Sequence, residues 1–129
     1  MNLKSYYRSM FFIGAIWNWV GAILLWISYK PMFAWLGMKE LNFPLIMYAF
    51  LSLVFFFGVG YFWVSKDINQ NHDIVKLGAL AKTIVFLLFT FYYFSGDIHL
   101  LIEMCGVGDL VFAILFTEFL MRAKKVNQF

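Results

Sequence analysis

The sequence of 129 residues has few charged residues, one cysteine, two prolines and two histidines. Only 13% of its residues are charged, whereas a soluble globular domain has about 25%. The single cysteine, Cys105, excludes an intramolecular disulfide and a Cys-x-x-Cys redox pair within one chain. We find no ligand spacing typical of a metal site and no basic motif typical of nucleic-acid binding. We therefore expect no metal, no other cofactor and no nucleic-acid partner.

Apolar and aromatic residues are abundant instead. Hydrophobic residues make up 64% of the chain and aromatic residues 22%. A helix needs roughly 20 apolar residues to cross a bilayer core of about 30 Å. Four runs have about this length and lack the alternation of barrel strands: about 8–27, 44–64, 77–94 and 98–121. The sequence thus predicts one all-α domain over residues 1–129, an integral membrane bundle of four transmembrane helices. We expect this bundle to be surrounded by the lipid bilayer.

The segments between these runs indicate how the helices are connected. In KPMFAWLGM (30–38), a proline suits the first turn of a helix and a glycine suits its end. Its apolar residues favour the headgroup region, so we predict a short interfacial helix after helix one. The segment SGD (95–97) is short enough to join helices three and four as an antiparallel hairpin.

Lysine and arginine residues are distributed unevenly between the two sides of the predicted bundle. The side with both termini carries seven of them: Lys4, Arg8, Lys66, Lys76, Arg122, Lys124 and Lys125. The opposite side carries Lys30 and Lys39. Positive residues favour cytoplasmic loops. We therefore predict cytoplasmic termini and a location in a bacterial cytoplasmic membrane.

Three predicted helices carry a polar residue near mid-membrane. With a rise of about 1.5 Å per residue, Asn18, Ser52 and Asp109 lie roughly 15 to 20 Å from the cytoplasmic ends of their helices. We expect the Asn18 amide to donate a hydrogen bond to the Asp109 carboxyl, in a layer that also contains Ser52. Trp17 lies too deep for an interfacial aromatic belt. We expect it to pack in the core or to line a cavity.

Lys82 and Glu118 are expected nearer the cytoplasmic side, roughly 6 to 8 Å from the ends of helices three and four. Because these helices are adjacent and antiparallel, one prediction is an ion pair between the two residues. Two alternatives stay open. Glu118 can pair with Arg122 four residues later, and the Lys82 side chain can extend to the interface.

The energy of burying charge makes these residues candidates for a site. An ionised aspartate at mid-bilayer costs about 2.5 to 3.5 kcal/mol, and one membrane hydrogen bond contributes about 0.6 kcal/mol on average. Asp109 is therefore either neutral or placed in a hydrated pocket. The candidate ligand-binding residues are Trp17, Asn18, Ser52, Lys82, Asp109 and Glu118. The structural alternative is that Asn18 and Asp109 only bond two helices together.

Three segments suggest a family: GAIWNWVGA (14–22), KPMFAWLGM (30–38) and GDLVFAIL (108–115). With these segments, the layout resembles the DoxX-like group of small four-helix membrane proteins. The resemblance implies the same four-helix fold, and some members of the group are associated with quinone-linked or thiol-linked redox systems. This chain has no cysteine pair, haem-ligating histidine pair or flavin motif, so the redox association does not carry over.

Two classes of function remain open. The first is a non-enzymatic module that binds a lipid-like molecule or serves as an accessory subunit of a membrane complex. The second is a membrane enzyme or proton-coupled carrier that uses Asp109, with Asn18 as an orienting donor and Lys82 as a charge partner. An enzyme normally needs an acid and a base in one cavity, and Asp109 alone lies at a suitable predicted depth. The sequence therefore favours the first class.

Overall fold

The computed structural model describes residues 2–129 and contains, in that range, four α-helices and no strand. The helices are α1 (Leu3–Trp35), α2 (Leu45–Lys66), α3 (His72–Phe94) and α4 (Leu100–Lys125). Each is long and apolar enough to cross a membrane. At most 33% of the most apolar segment of any helix is buried within the bundle, so most of this apolar surface faces outward. The all-α fold with four membrane-length helices is confirmed.

The first helix is longer than predicted and includes the segment expected to form a separate helix. α1 continues to Trp35, with non-helical backbone angles at Ser28 (φ −126°, ψ 18°). Pro31 lies three residues later, and a proline removes one helical hydrogen bond and collides with the preceding turn. The segment after Ser28 is therefore a kinked continuation of α1, and the structure does not show a separate interfacial helix.

The end of α1 does agree with the sequence. Gly37 has a φ of +72°, a left-handed conformation that glycine adopts without steric cost. This turn lets the N–H of Met38 donate a hydrogen bond of 2.8 Å to the carbonyl of Phe33. The bond closes the helix with a motif that satisfies a free terminal carbonyl.

The start of α3 also differs from the prediction. The apolar run suggested a start at about residue 77, whereas α3 begins at His72. Its first turn is polar, and Lys76 donates a hydrogen bond of 2.9 Å to Asp73. Hydropathy marks where a helix becomes apolar, not where it begins. This difference changes the depth of every residue in α3.

The bundle consists of two antiparallel hairpins, α1–α2 and α3–α4. Aromatic side chains fill the space between the hairpins at the end that holds both termini. The ring of Phe11 lies 5.0 Å from that of Phe116 and 4.9 Å from that of Phe119, and Tyr61 lies 4.9 Å from Phe116, measured between centroids. All four rings are buried. This core fixes the hairpins relative to each other and thereby positions the polar residues further along the helices.

Candidate functional site

A lysine and an aspartate form an ion pair at mid-length of the helices. Nζ of Lys82 in α3 lies 2.7 Å from Oδ1 of Asp109 in α4. The side chain of Lys82 is 6% exposed and that of Asp109 is 18% exposed. The pair therefore lies largely inside the protein, where a charge-assisted hydrogen bond is strong.

Asn18 completes the surroundings of the ammonium group. Lys82 Nζ donates a second hydrogen bond of 2.9 Å to Oδ1 of Asn18. The amide nitrogen of Asn18 donates to the main-chain carbonyl of Val54 in α2, at 2.9 Å. Because the nitrogen is engaged there, the oxygen faces Lys82. Asn18 thus links α1, α2 and α3 through one side chain.

Two aromatic rings also lie near the ammonium. Nζ of Lys82 lies 5.4 Å from the centroid of Phe112 and 5.6 Å from that of Tyr61. The face of an aromatic ring attracts a cation, most strongly where water is excluded. Tyr61 can approach α3 because position 78 is glycine, where a Cβ would lie 2.7 Å from the ring. Tyr61 and Phe112 were not predicted as site residues, because aromatic residues occur throughout this chain.

Trp17 contacts the carboxylate from the other side. Its indole N–H donates a hydrogen bond of 3.2 Å to Oδ1 of Asp109. The ring lies against Gly108, where a Cβ would collide with the indole. Trp17 is 39% exposed, so it forms the outer cover of Asp109. The structure therefore brings together four of the six predicted residues: Trp17, Asn18, Lys82 and Asp109.

The predicted direct hydrogen bond between Asn18 and Asp109 was wrong. Both side chains bind Lys82, which lies between them. Lys82 was predicted too close to the interface, because α3 begins five residues before its apolar run. Counted from His72, Lys82 lies ten residues into the helix, or about 15 Å. That depth equals the one predicted for Asn18.

The predicted ion pair between Lys82 and Glu118 was also wrong, and the alternative partner is confirmed. Glu118 accepts a hydrogen bond of 3.1 Å from Nε of Arg122. Its two oxygens share the single hydroxyl proton of Tyr7, at 2.7 and 2.9 Å. Glu118 therefore belongs to the end of the bundle that holds both termini. Lys82 does not extend to the interface.

Ser52 does not join the polar layer. Its hydroxyl donates to the carbonyl of Tyr48 within α2, at 2.9 Å. It lines a separate apolar cavity together with Ala22 and Trp26. The depth of Ser52 was estimated from the sequence, but the face of α2 on which it lies was not.

A cavity of about 170 Å³ adjoins the ion pair. Asn18, Lys82 and Asp109 form its polar end, and apolar residues of α2 and α3 form its walls. One wall residue, Leu53, is 62% exposed, so the cavity reaches the outer surface of the bundle between α2 and α3. In the part of the chain that the structure describes, no three His, Cys, Asp or Glu side chains are grouped as a metal site would require.

A second buried carboxyl lies between α3 and α4, and it is not one of the six predicted ligand-binding residues. Glu103 is 8% exposed, and its Oε1 lies 2.6 Å from the hydroxyl of Thr90. Its Oε2 is buried and has no hydrogen-bond partner within residues 2–129. This burial was not predicted, because Glu103 lies only one turn from the start of α4.

No protein-family model, curated protein or solved structure matches the chain significantly. The resemblance to the DoxX-like group therefore stays a prediction that depends on the three segments and the four-helix layout.

Proposed function

We propose that the chain is a non-enzymatic integral membrane protein that binds one lipid-like molecule in the cavity between α2 and α3. The polar head group of the molecule would contact Lys82, Asn18 and Asp109. The observation that supports this proposal most directly is an ion pair, 2.7 Å long, at the inner end of a cavity that reaches the outward, apolar surface. In the same proposal, both termini are cytoplasmic and the membrane is a bacterial cytoplasmic membrane.

The size of the cavity favours partial insertion of the ligand. Sites for drug-sized molecules measure about 300 to 1,000 Å³, whereas this cavity measures about 170 Å³. It can hold a head group and leave a hydrocarbon tail in the bilayer. Entry from the side suits such a molecule, because its tail never leaves the lipid.

The charges of the site favour a neutral head group with an oxygen acceptor. Lys82 and Asp109 neutralise each other, so the site offers little attraction to a phosphate. An ammonium carries three N–H donors, and Asn18 and Asp109 accept two of them. The third is available to a carbonyl, hydroxyl or ether oxygen of the ligand.

A proton-coupled carrier is the second candidate, and the ion pair itself favours it. Ionisable residues within membrane segments commonly belong to proton relays. Protonation of Asp109 would remove its attraction for Lys82 and free the lysine from its partner. Such a carrier would show proton-driven substrate flux in proteoliposomes, and Asp109→Asn would abolish that flux.

Native mass spectrometry of the protein, extracted gently from its own membrane, tests the proposal. We expect one small molecule per chain, lost from the double variant Lys82→Met/Asp109→Leu, which removes both charges together. The matched control is Ser52→Ala, a polar change at similar depth outside the site, which should keep the molecule. Retention of the molecule by the double variant, or its absence from the natural protein, contradicts the proposal. A stoichiometric protein partner without a small molecule would instead indicate an accessory subunit.

A further inference from the structure

A second cavity, of about 570 Å³, lies along α4 toward its C-terminal end. Its lining comes from α4 between Leu110 and Lys125, with Thr83 contributed by α3. Arg122 and Lys125 lie at one end, and apolar residues such as Ile114 lie toward the other. We propose that this groove, defined by Leu110–Lys125 and Thr83, binds one anionic phospholipid of the leaflet on the side of the termini. The phosphate would lie at Arg122 and Lys125.

The length of the groove agrees with one lipid leaflet. The fifteen residue-to-residue steps from Leu110 to Lys125 extend over about 22 Å of helix. Half of a bilayer, with its headgroup region, is about 20 to 22 Å thick. A phospholipid with its phosphate beside Lys125 would therefore place the end of an acyl chain beside Leu110.

The middle of the groove is chemically apolar although two threonines line it. The hydroxyl of Thr83 donates to the carbonyl of Ala79, and that of Thr117 donates to the carbonyl of Ala113, each at 2.8 Å. Both hydroxyls are thus satisfied within their own helices. The methyl groups of the two threonines and the neighbouring Ile114, which is 60% exposed, suit an acyl chain.

Arg122 is held in place to bind a phosphate. It uses Nε to donate to Glu118, and a guanidinium carries five N–H donors, so its two terminal amino groups stay available. The Tyr7 hydroxyl donates to both oxygens of Glu118 and fixes the carboxylate that orients the guanidinium. Arginine binds phosphate oxygens in a bidentate geometry.

The charge balance of the groove favours an anionic lipid over a zwitterionic one. Glu118 compensates one positive charge, that of Arg122. Lys125 forms no ion pair with any carboxylate in the described range, so a net positive charge remains, and Lys124 adds another beside it. Basic pockets beside membrane helices bind anionic headgroups. This inference is independent of the proposed function, whose cavity lies between α2 and α3 and suits a neutral head group.

The test uses the full chain in phosphatidylcholine nanodiscs that contain a minority of phosphatidylglycerol, followed by native mass spectrometry. We expect phosphatidylglycerol to be retained in preference to phosphatidylcholine. The variant Arg122→Gln/Lys125→Gln should weaken this retention about 25-fold, at about fivefold for each of the two cations removed. The control Lys30→Gln/Lys39→Gln makes the same change of charge at the opposite end and should leave retention unchanged. Equal retention of the two lipids, or an equal loss in the control, overturns the proposal.

A second variant separates the groove from general attraction to positive charge. Ile114→Trp fills the groove without changing any charge, and its outward position tolerates a large side chain. We expect it to reduce retention of phosphatidylglycerol as strongly as loss of the cations does. Unchanged retention in Ile114→Trp would mean that the lipid is held by surface charge alone, and the groove would not be a binding site.

Discussion

The surroundings of Lys82 explain how a lysine is accommodated inside an apolar bundle. A single charged residue at the centre of a membrane helix costs about 2.5 to 3.5 kcal/mol. Here a carboxylate, an amide oxygen and two aromatic rings surround the ammonium. The interactions that these groups make with the ammonium are lost when Lys82 is replaced. The residues of the site are therefore energetically interdependent.

This interdependence predicts a non-additive double-mutant cycle. Lys82→Met leaves Asp109 without a cation, and Asp109→Leu leaves Lys82 without an anion. Each single change should lower the free energy of unfolding by about 2.5 to 3.5 kcal/mol while the remaining group stays charged. The double variant should recover most of that loss, because it leaves no unpaired charge. Unfolding of the purified variants in detergent measures the cycle, and simple additivity of the two losses would contradict the ion pair.

At the scale of helix packing, Gly108 determines how closely α4 approaches α1. A Cβ at this position would collide with the indole of Trp17, which covers Asp109. Gly108→Ala should therefore displace Trp17 and lower the melting temperature. Gly21→Ala is the matched control, since a Cβ there meets no atom within 4 Å and alanine favours a helix by about 1 kcal/mol. Gly21→Ala should leave the melting temperature unchanged or raise it. A similar fall in the melting temperature of both variants would contradict the role of Gly108.

The number of helices was predicted more accurately than the depth of each polar residue or the side of the helix on which it lies. Four apolar runs were enough to predict four helices, because length and hydropathy alone identify a membrane-length helix. α1 begins at Leu3 and α4 ends at Lys125, both beyond the predicted ends, so Asn18 and Asp109 lie further from the ends of their helices than predicted. Lys82 was misplaced because the first turn of α3 is polar. Ser52 was misassigned because its depth does not determine its face when α2 is apolar on all sides.

At the scale of the whole molecule, the two ends of the bundle are packed differently. The end with both termini contains the buried aromatic core of Phe11, Tyr61, Phe116 and Phe119. The opposite end contains a cavity of about 760 Å³ between the loops that follow α1 and α3. The hairpins are therefore joined firmly at one end and more loosely at the other. Side entry between α2 and α3 is easier in a bundle packed in this way.

The orientation of the molecule follows from its charges, and we expect both termini in the cytoplasm. Seven lysine and arginine residues lie on the side of the termini and two on the other, and positive residues are retained on the cytoplasmic side during insertion. Single cysteines introduced into a Cys105→Ser background test this expectation. Asn42→Cys, in the loop between α1 and α2, should react with a membrane-impermeant maleimide in intact spheroplasts. Asn127→Cys, after α4, should react only once the membrane is permeabilised.

The labelling result also determines the leaflet in which the α4 groove lies. Arg122 and Lys125 share a side with Asn127, so protection of Asn127→Cys places the groove in the cytoplasmic leaflet. Anionic lipids in that leaflet attract basic residues beside the membrane. The opposite result, with Asn127→Cys labelled in intact spheroplasts and Asn42→Cys protected, would reverse the orientation. The groove could then bind only lipids of the outer leaflet, although its binding in nanodiscs would be unaffected.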